Sequence, residues 1–172
     1  MERYKPDIYQ KDIFHIDYSS LYQKGIRVLL FDLDNTVGTL AEKKPTQEVM
    51  KLFSKLKKKF TCFLLSNSLK YRVKPFGEAL QIPHLSMAMK PMGWRVKKFL
   101  KKNDISLDQV AIIGDQFMTD MALGYRLQVL RIYVDPLTSK DYKITSFNRY
   151  REKKIMKRYE QLKLFERGKY YG

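Results

Sequence analysis

The chain has 172 residues, 44% of them hydrophobic and 13% aromatic, which is enough apolar material for a sizeable core and too much for a disordered chain. A single cysteine, Cys62, excludes an internal disulfide; the N-terminus has no apolar targeting segment, and no apolar run reaches membrane-spanning length. Thirty-four Lys and Arg against 18 Asp and Glu leave a net charge of +16, which favours a polyanionic partner, either nucleic acid or an anionic membrane surface.

Taken in chain order, Arg27 to Asp32 (RVLLFD) is a short, nearly continuous apolar run, as in a strand covered on both faces. Val49, Leu52, Phe53 and Leu56 then recur at helical spacing. Thr61 to Asn67 (TCFLLSN) predicts a second strand, Val73, Phe76 and Leu80 a helix, and His84 to Met89 a third strand. An amphipathic helix is expected over Gly93 to Asn103, with Pro91 marking its entry. Val110 to Asp115 (VAIIGD) is the clearest strand, followed by a short helix across Thr119 to Gly124, and Val129 to Val134 closes the series. Strands alternating with helices predict an α/β, doubly wound, Rossmann-like parallel sheet of about five strands, with its core over about 27–136. Trp94 and the cluster Met87, Met89 and Met92 are expected to pack in that core. His15 and His84 lack Cys or His neighbours at ligand spacing and are expected to be structural or solvated.

In an open parallel sheet, ligands bind beyond the carboxyl ends of the strands, where the winding direction reverses. The predicted strand ends carry Asp32 and Asp34, then Ser66 and Asn67, then Asp115, while Lys90 follows the third strand. Any one of these is accounted for by the turn preference of Asp, Asn and Ser. All of them in this order are better explained as one phosphate-handling site.

These residues resemble the haloacid dehalogenase (HAD) superfamily of phosphotransferases. Its four motifs match Asp32, Asp34 and Thr36 in "LLFDLDNT", Ser66 in "FLLSNS", Lys90 in "MKPMGW", and Asp115 with Asp120 in "GDQFMTD". More narrowly, the chain is similar to the YqeG-like group of subclass IIIA phosphatases, whose relatives include a mitochondrial phosphatidylglycerophosphate phosphatase. The resemblance implies Mg²⁺ held by Asp32, Asp34 (through its backbone carbonyl) and Asp115, and an aspartyl-phosphate formed on Asp32. It implies that Asp34 is the general acid and then the base, that Thr36, Ser66, Asn67 and Lys90 hold the phosphoryl oxygens, and that Asp120 orients Lys90 or the metal shell rather than ligating directly.

Other chemistries fare worse. A cysteine phosphatase would need Arg six positions after Cys62, and position 68 is Ser. No glycine-rich nucleotide loop is present. The intervals from Thr36 to Ser66 and from Ser66 to Lys90 each hold only a helix and a strand, so an HAD core without a cap domain is expected, its site open to a large or membrane-borne phosphate. From Thr138 to Gly172 there are eleven Lys and Arg and four Asp and Glu, a net +7, with Ile155, Tyr159 and Leu162 at helical spacing. This predicts a basic C-terminal helix over part of about 137–172, docked on the core or lying on an anionic membrane. The whole of 1–172 is expected to form a single phosphatase domain. The expectation is a cytoplasmic Mg²⁺-dependent phosphomonoesterase, peripheral on the inner face of the membrane if its partner is an anionic phospholipid. Phosphatidylglycerophosphate is the leading substrate. Phosphorylated nucleic-acid 3′ ends are the alternative substrate, and a non-catalytic nucleic-acid-binding protein is the alternative class, supported by charge alone.

Overall fold

A computed structural model describes residues 2–138, 146–162 and 165–172. Strands β1 (Ile8–Gln10), β2 (Val28–Asp32), β3 (Thr61–Leu65), β4 (His84–Leu85), β5 (Val110–Gly114) and β6 (Leu130–Val134) form one sheet. Their order is β1-β6-β5-β2-β3-β4, and every neighbouring pair is parallel. Helices α1 (Tyr18–Gln23), α2 (Gln47–Leu56), α3 (Lys70–Leu80), α4 (Trp94–Lys102), α5 (Ala122–Leu127) and α6 (Ser146–Gln161) complete the described elements, with a π-helical turn at Phe117–Met121 leading into α5.

The strand sequences alternate between two covered faces. Leu29, Phe31, Cys62, Leu64, Ala111 and Ile113 share one core with Leu21 of α1, Val49 and Phe53 of α2, and Val73 and Phe76 of α3. Val28, Leu30, Phe63, Leu65, Val110 and Ile112 share the other with Val96 and Leu100 of α4 and Leu123 and Leu127 of α5. Each such side chain contributes on the order of 1.5–3 kcal/mol through burial. Because both faces are covered, β2 and β5 read as unbroken apolar runs rather than alternating ones. From β2 the chain winds outward through β3 to β4, then returns to place β5 on the other side of β2. The winding therefore reverses between β2 and β5, the position where an open sheet leaves a crevice.

The doubly wound parallel sheet expected from the sequence is present, with six strands where about five were expected. The extra one is β1, only three residues long, which extends the fold upstream of Arg27. It lies parallel to β6 at the sheet edge. Its Tyr9 exchanges two main-chain hydrogen bonds with Tyr171, each 2.9 Å. The strand expected over His84 to Met89 stops at Leu85. Beyond it Met87 and Met89 hold left-handed backbone, φ 47° and 59°, which ends extended pairing. Pro91 does not open a helix directly; α4 begins at Trp94, after Gly93 in left-handed backbone. The short helix after β5 is split into the π-helical turn and α5.

Four side chains expected in the core are outside it. Met87, Met89, Met92 and Trp94 are all exposed, because the loop after β4 carries the three methionines away from the sheet and Trp94 opens α4 at the end of that loop. The C-terminal helix does dock. Tyr159 is buried with Tyr9, Phe117, Met121, Tyr133 and Phe165, and Ile155 packs against that cluster, whereas Leu162 is exposed. The Phe117 and Tyr133 rings stack at 4.3 Å with planes 4° apart. Of the basic stretch 138–172, positions 139–145, 163 and 164 lie outside the described residues. Among the described residues, no helix is long and apolar enough to cross a membrane.

Candidate active site

The reversal point gathers the residues singled out in the sequence. Asp32 ends β2, Asp115 follows β5, Ser66 and Asn67 follow β3, and Lys90 lies in the loop after β4. Asp32, Thr36, Ser66, Lys90, Asp115 and Asp120 are buried. The Lys90 ammonium donates to Asp32 Oδ1, to Asp120 Oδ1 at 2.6 Å and to the Leu65 carbonyl at 3.4 Å. Thr36 Oγ1 donates to Asp115 Oδ1 at 3.4 Å. Carboxylate oxygens of Asp32, Asp115 and Asp120 lie within 4.8 Å of one another. Gly114 makes this approach possible, since a Cβ there would stand 2.4 Å from the Asp120 carboxyl carbon.

Asp32 and Asp34 do not compete for one direction, because the chain leaves strand geometry between them and Asn35 takes left-handed backbone, φ 66°. Asp32 faces Lys90. Asp34 turns towards α3, accepting from Ser68 Oγ at 2.6 Å and Arg72 Nε at 2.9 Å, with Ser66 Oγ at 3.5 Å. The expected phosphate ligand Asn67 uses its side chain differently. Its amide accepts from the Lys90 N–H at 2.7 Å and donates to the Lys90 carbonyl at 2.9 Å, so that it fixes the backbone beneath the ammonium.

Three buried acids around one ammonium leave an excess of negative charge. Burial pushes the Asp32 carboxyl up to about 7, with Asp120 and Asp34 adding to the rise and Lys90 opposing it. Lys90 is held above its ordinary value: burial works against its charge, but Asp120 and Asp32 outweigh that cost. A divalent cation fits such a donor set, since oxygen ligands and uncompensated negative charge are what a hard cation selects. Cys62 is buried, and burial pushes its thiol up to about 12, so that it is no nucleophile. His15 pairs with Asp12 on the exposed surface, and His84 packs over Gly77, each away from this cluster.

Three residues important to the site escaped the sequence reading. Ser68 and Arg72 bind Asp34, and Arg72 also ties down the loop after β2 by donating to the Thr39 carbonyl at 2.8 Å and to the Glu42 carbonyl. The available signal was a cation at position 72, beside Val73 on the apolar stripe of α3. Glu152 of α6 is the third. Its buried carboxylate accepts the Phe117 N–H at 3.0 Å and the Met118 N–H at 2.7 Å, capping the turn that runs from Asp115 to Asp120. It lies at helical spacing from Ile155, Met156 and Tyr159, an acid on the docked face of a basic helix.

A family model described as mitochondrial PGP phosphatase matches residues 1–137, which contain the acids, Ser66 and Lys90 of this cluster but not Glu152. The chain belongs to that family. It is an HAD-type phosphatase. Among the relatives, the "Probable phosphatase YqeG" of Bacillus subtilis (strain 168) is 34% identical over 152 residues, covering 88% of each chain. The "Phosphatidylglycerophosphate phosphatase 1, chloroplastic" of Chlamydomonas reinhardtii is 28% identical over 144 residues, 78% of this chain and 54% of that protein, so the chain spans about half its length. The fold recurs in an uncharacterised Listeria monocytogenes protein, with a TM-score of 0.55 at 14% identity over 67% of this chain and 84% of that one. It recurs also in a Bacteroides thetaiotaomicron HAD family enzyme, crystallised in complex with magnesium and inorganic phosphate, with a TM-score of 0.52 at 15% identity over 71% of this chain and all of that one.

Proposed function

We propose that this phosphatase removes the terminal phosphate of phosphatidylglycerophosphate, using Mg²⁺ and a phosphoryl group carried transiently on Asp32. The supporting observation is the meeting of Asp32, Asp115, Asp120 and Lys90 at the reversal point of the sheet. Mg²⁺ held by Asp32, Asp115 and the backbone carbonyl of Asp34 would supply the positive charge that lets a carboxylate approach a phosphate dianion. Asp32 attacks phosphorus, and Asp34 protonates the departing alkoxide oxygen. Asp34 then takes a proton from the water that hydrolyses the acyl phosphate. Ser66 and Lys90 hold the phosphoryl oxygens, Thr36 holds Asp115, and Asn67 and Asp120 set the position of Lys90.

The lipid substrate is supported by the family and by the name of the algal relative. It suits a site with no cap between Thr36 and Lys90, where the chain supplies only α2, β3, α3 and β4. The protein then works as a single catalytic unit at the cytoplasmic surface of a membrane. Its charge of +16 equally suits a phosphorylated nucleic-acid end, which is the second reading. Phosphate release by the purified protein with Mg²⁺ decides between them. Lipid, nucleotide, sugar and oligonucleotide phosphates are compared, and phosphatidylglycerophosphate is expected to turn over fastest. Asp32→Asn should abolish release from every substrate while the circular dichroism of the fold is retained. Residual wild-type rates in that variant would end the Asp32 mechanism.

A further inference from the structure

The four side chains misplaced by the sequence reading are joined at the exposed surface by two more large apolar ones, Leu69 and Tyr71. Leu69, Tyr71, Met87, Met89, Met92 and Trp94 are all exposed, Tyr71, Met92 and Trp94 by 74%, 60% and 59%. They lie on the start of α3, the start of α4 and the loops after β3 and β4, the same two loops that supply Ser66 and Lys90. Those loops are tied together. The Met87 N–H donates to the Ser68 carbonyl and the Ala88 N–H to the Ser66 carbonyl, each at 2.9 Å, and the Asn67 side chain bonds both main-chain groups of Lys90. The backbone is therefore braced while its large apolar side chains face water. Two of them, Met87 and Met89, also hold left-handed backbone, a conformation costly for a side chain of this size. A monomer gains nothing by bearing both costs at one place, and such a patch marks an interaction site.

We propose that this rim is a bilayer-docking surface that seats the active site directly on an anionic membrane. Composition and charge select that partner. Neither Ser66 to Tyr71 nor Ser86 to Arg95 contains an acid, while Lys70 is exposed and the Arg95 guanidinium lies 5.9 Å from the Trp94 ring centroid. Lys43 and Lys44 are exposed on the loop that Arg72 binds to α3. Trp and Tyr favour the headgroup layer, Met and Leu the acyl boundary just beneath it, and the flanking cations meet lipid phosphates. A nucleic acid would engage the two aromatic rings and the cations but has no use for three methionines and a leucine. With the rim inserted, Ser66 and Lys90 stand at headgroup depth, and a phosphomonoester on a lipid reaches Asp32 without leaving the bilayer. The surface deepens the lipid-phosphate reading above and rests on it for its substrate, but not for its binding.

Trp94 is the only tryptophan, so its fluorescence reports on the rim alone. The wild-type protein is titrated with vesicles of phosphatidylglycerol and phosphatidylcholine, which carry no phosphomonoester. The expected result is a blue shift of Trp94 emission, quenching by brominated acyl chains, and loss of both in pure phosphatidylcholine. The variant Tyr71→Gln/Met92→Gln/Trp94→Gln should bind these vesicles at least about tenfold more weakly in sedimentation. Its turnover of a soluble aryl phosphate should stay at the wild-type rate. Vesicle binding with unchanged Trp94 emission would overturn the proposal and assign the contact to another face, α6 included. A shift with an acidic protein or an oligonucleotide but not with vesicles would also overturn it. Insertion of Trp94 without hydrolysis of phosphatidylglycerophosphate would leave the docking surface standing and sink the substrate alone.

Discussion

At the residue scale, the division of labour proposed for the two aspartates of "FDLDNT" has a kinetic signature. Asp34→Asn keeps the shape, leaves one acceptor oxygen between Ser68 and Arg72, and loses the proposed acid and base. Phosphate capture from an aryl phosphate should persist, because that leaving group needs little protonation, whereas hydrolysis of the acyl phosphate should slow by about 10²–10⁴. A burst of released phenol followed by near-arrest is the expected trace. Asp32 has a pH signature. With its carboxyl raised to about 7, the folded metal-free protein binds a proton there that the unfolded chain releases near the ordinary carboxylate range. This group's contribution to stability is therefore full at low pH and lost as pH climbs towards about 7. Mg²⁺ bound to Asp32 as proposed would displace that proton, so its affinity should rise with pH up to about 7 and then level off. The gap in Tm between Mg²⁺-loaded and metal-free protein should widen between about pH 5 and 7.

At the scale of elements, α6 matters through one carboxylate. Glu152→Gln retains the shape but cannot present two acceptor oxygens to the Phe117 and Met118 N–H groups. The loss should cost about 1–3 kcal/mol of stability. It should also raise the Mg²⁺ concentration needed for half-maximal activity several-fold while leaving the rate at saturating Mg²⁺ near wild type. A purely structural role would lower Tm without moving the Mg²⁺ dependence. Legibility in the sequence divided along similar lines. The strands buried on both faces announced themselves as continuous apolar runs, and the acids, Ser66 and Lys90 at their ends could be read because chemistry restricts residue type there. The short β1 carries too few residues to show a period. Met87, Met89, Met92 and Trp94 were misread because an apolar side chain looks the same in a sequence whether it packs inward or faces a partner. Arg72 and Glu152 were hidden because their partners lie 38 and 35 or fewer positions away, and only tertiary structure sets such pairings.

For the molecule as a whole, the bond between Tyr9 and Tyr171 bears on how copies of the protein behave towards one another. An open strand edge is a template for another chain, and a parallel sheet normally has two. Here one edge, β4, is only two residues long, and at the other both main-chain groups of Tyr9 are already taken by Tyr171. The aromatic rings of Phe165, Tyr170 and Tyr171 lie against Tyr9, with centroids 4.5–6.2 Å away. Removing residues 165–172 should strip this cover, leave both main-chain groups of Tyr9 unpaired and uncover one side of its ring, the other still resting on Tyr133. The shortened protein should then self-associate at concentrations where the chain of residues 1–172 scatters no light, and Tyr9→Pro in the shortened chain, which deletes the exposed donor, should reduce that association. The last few residues thus act as a stopper against growth of the sheet from molecule to molecule.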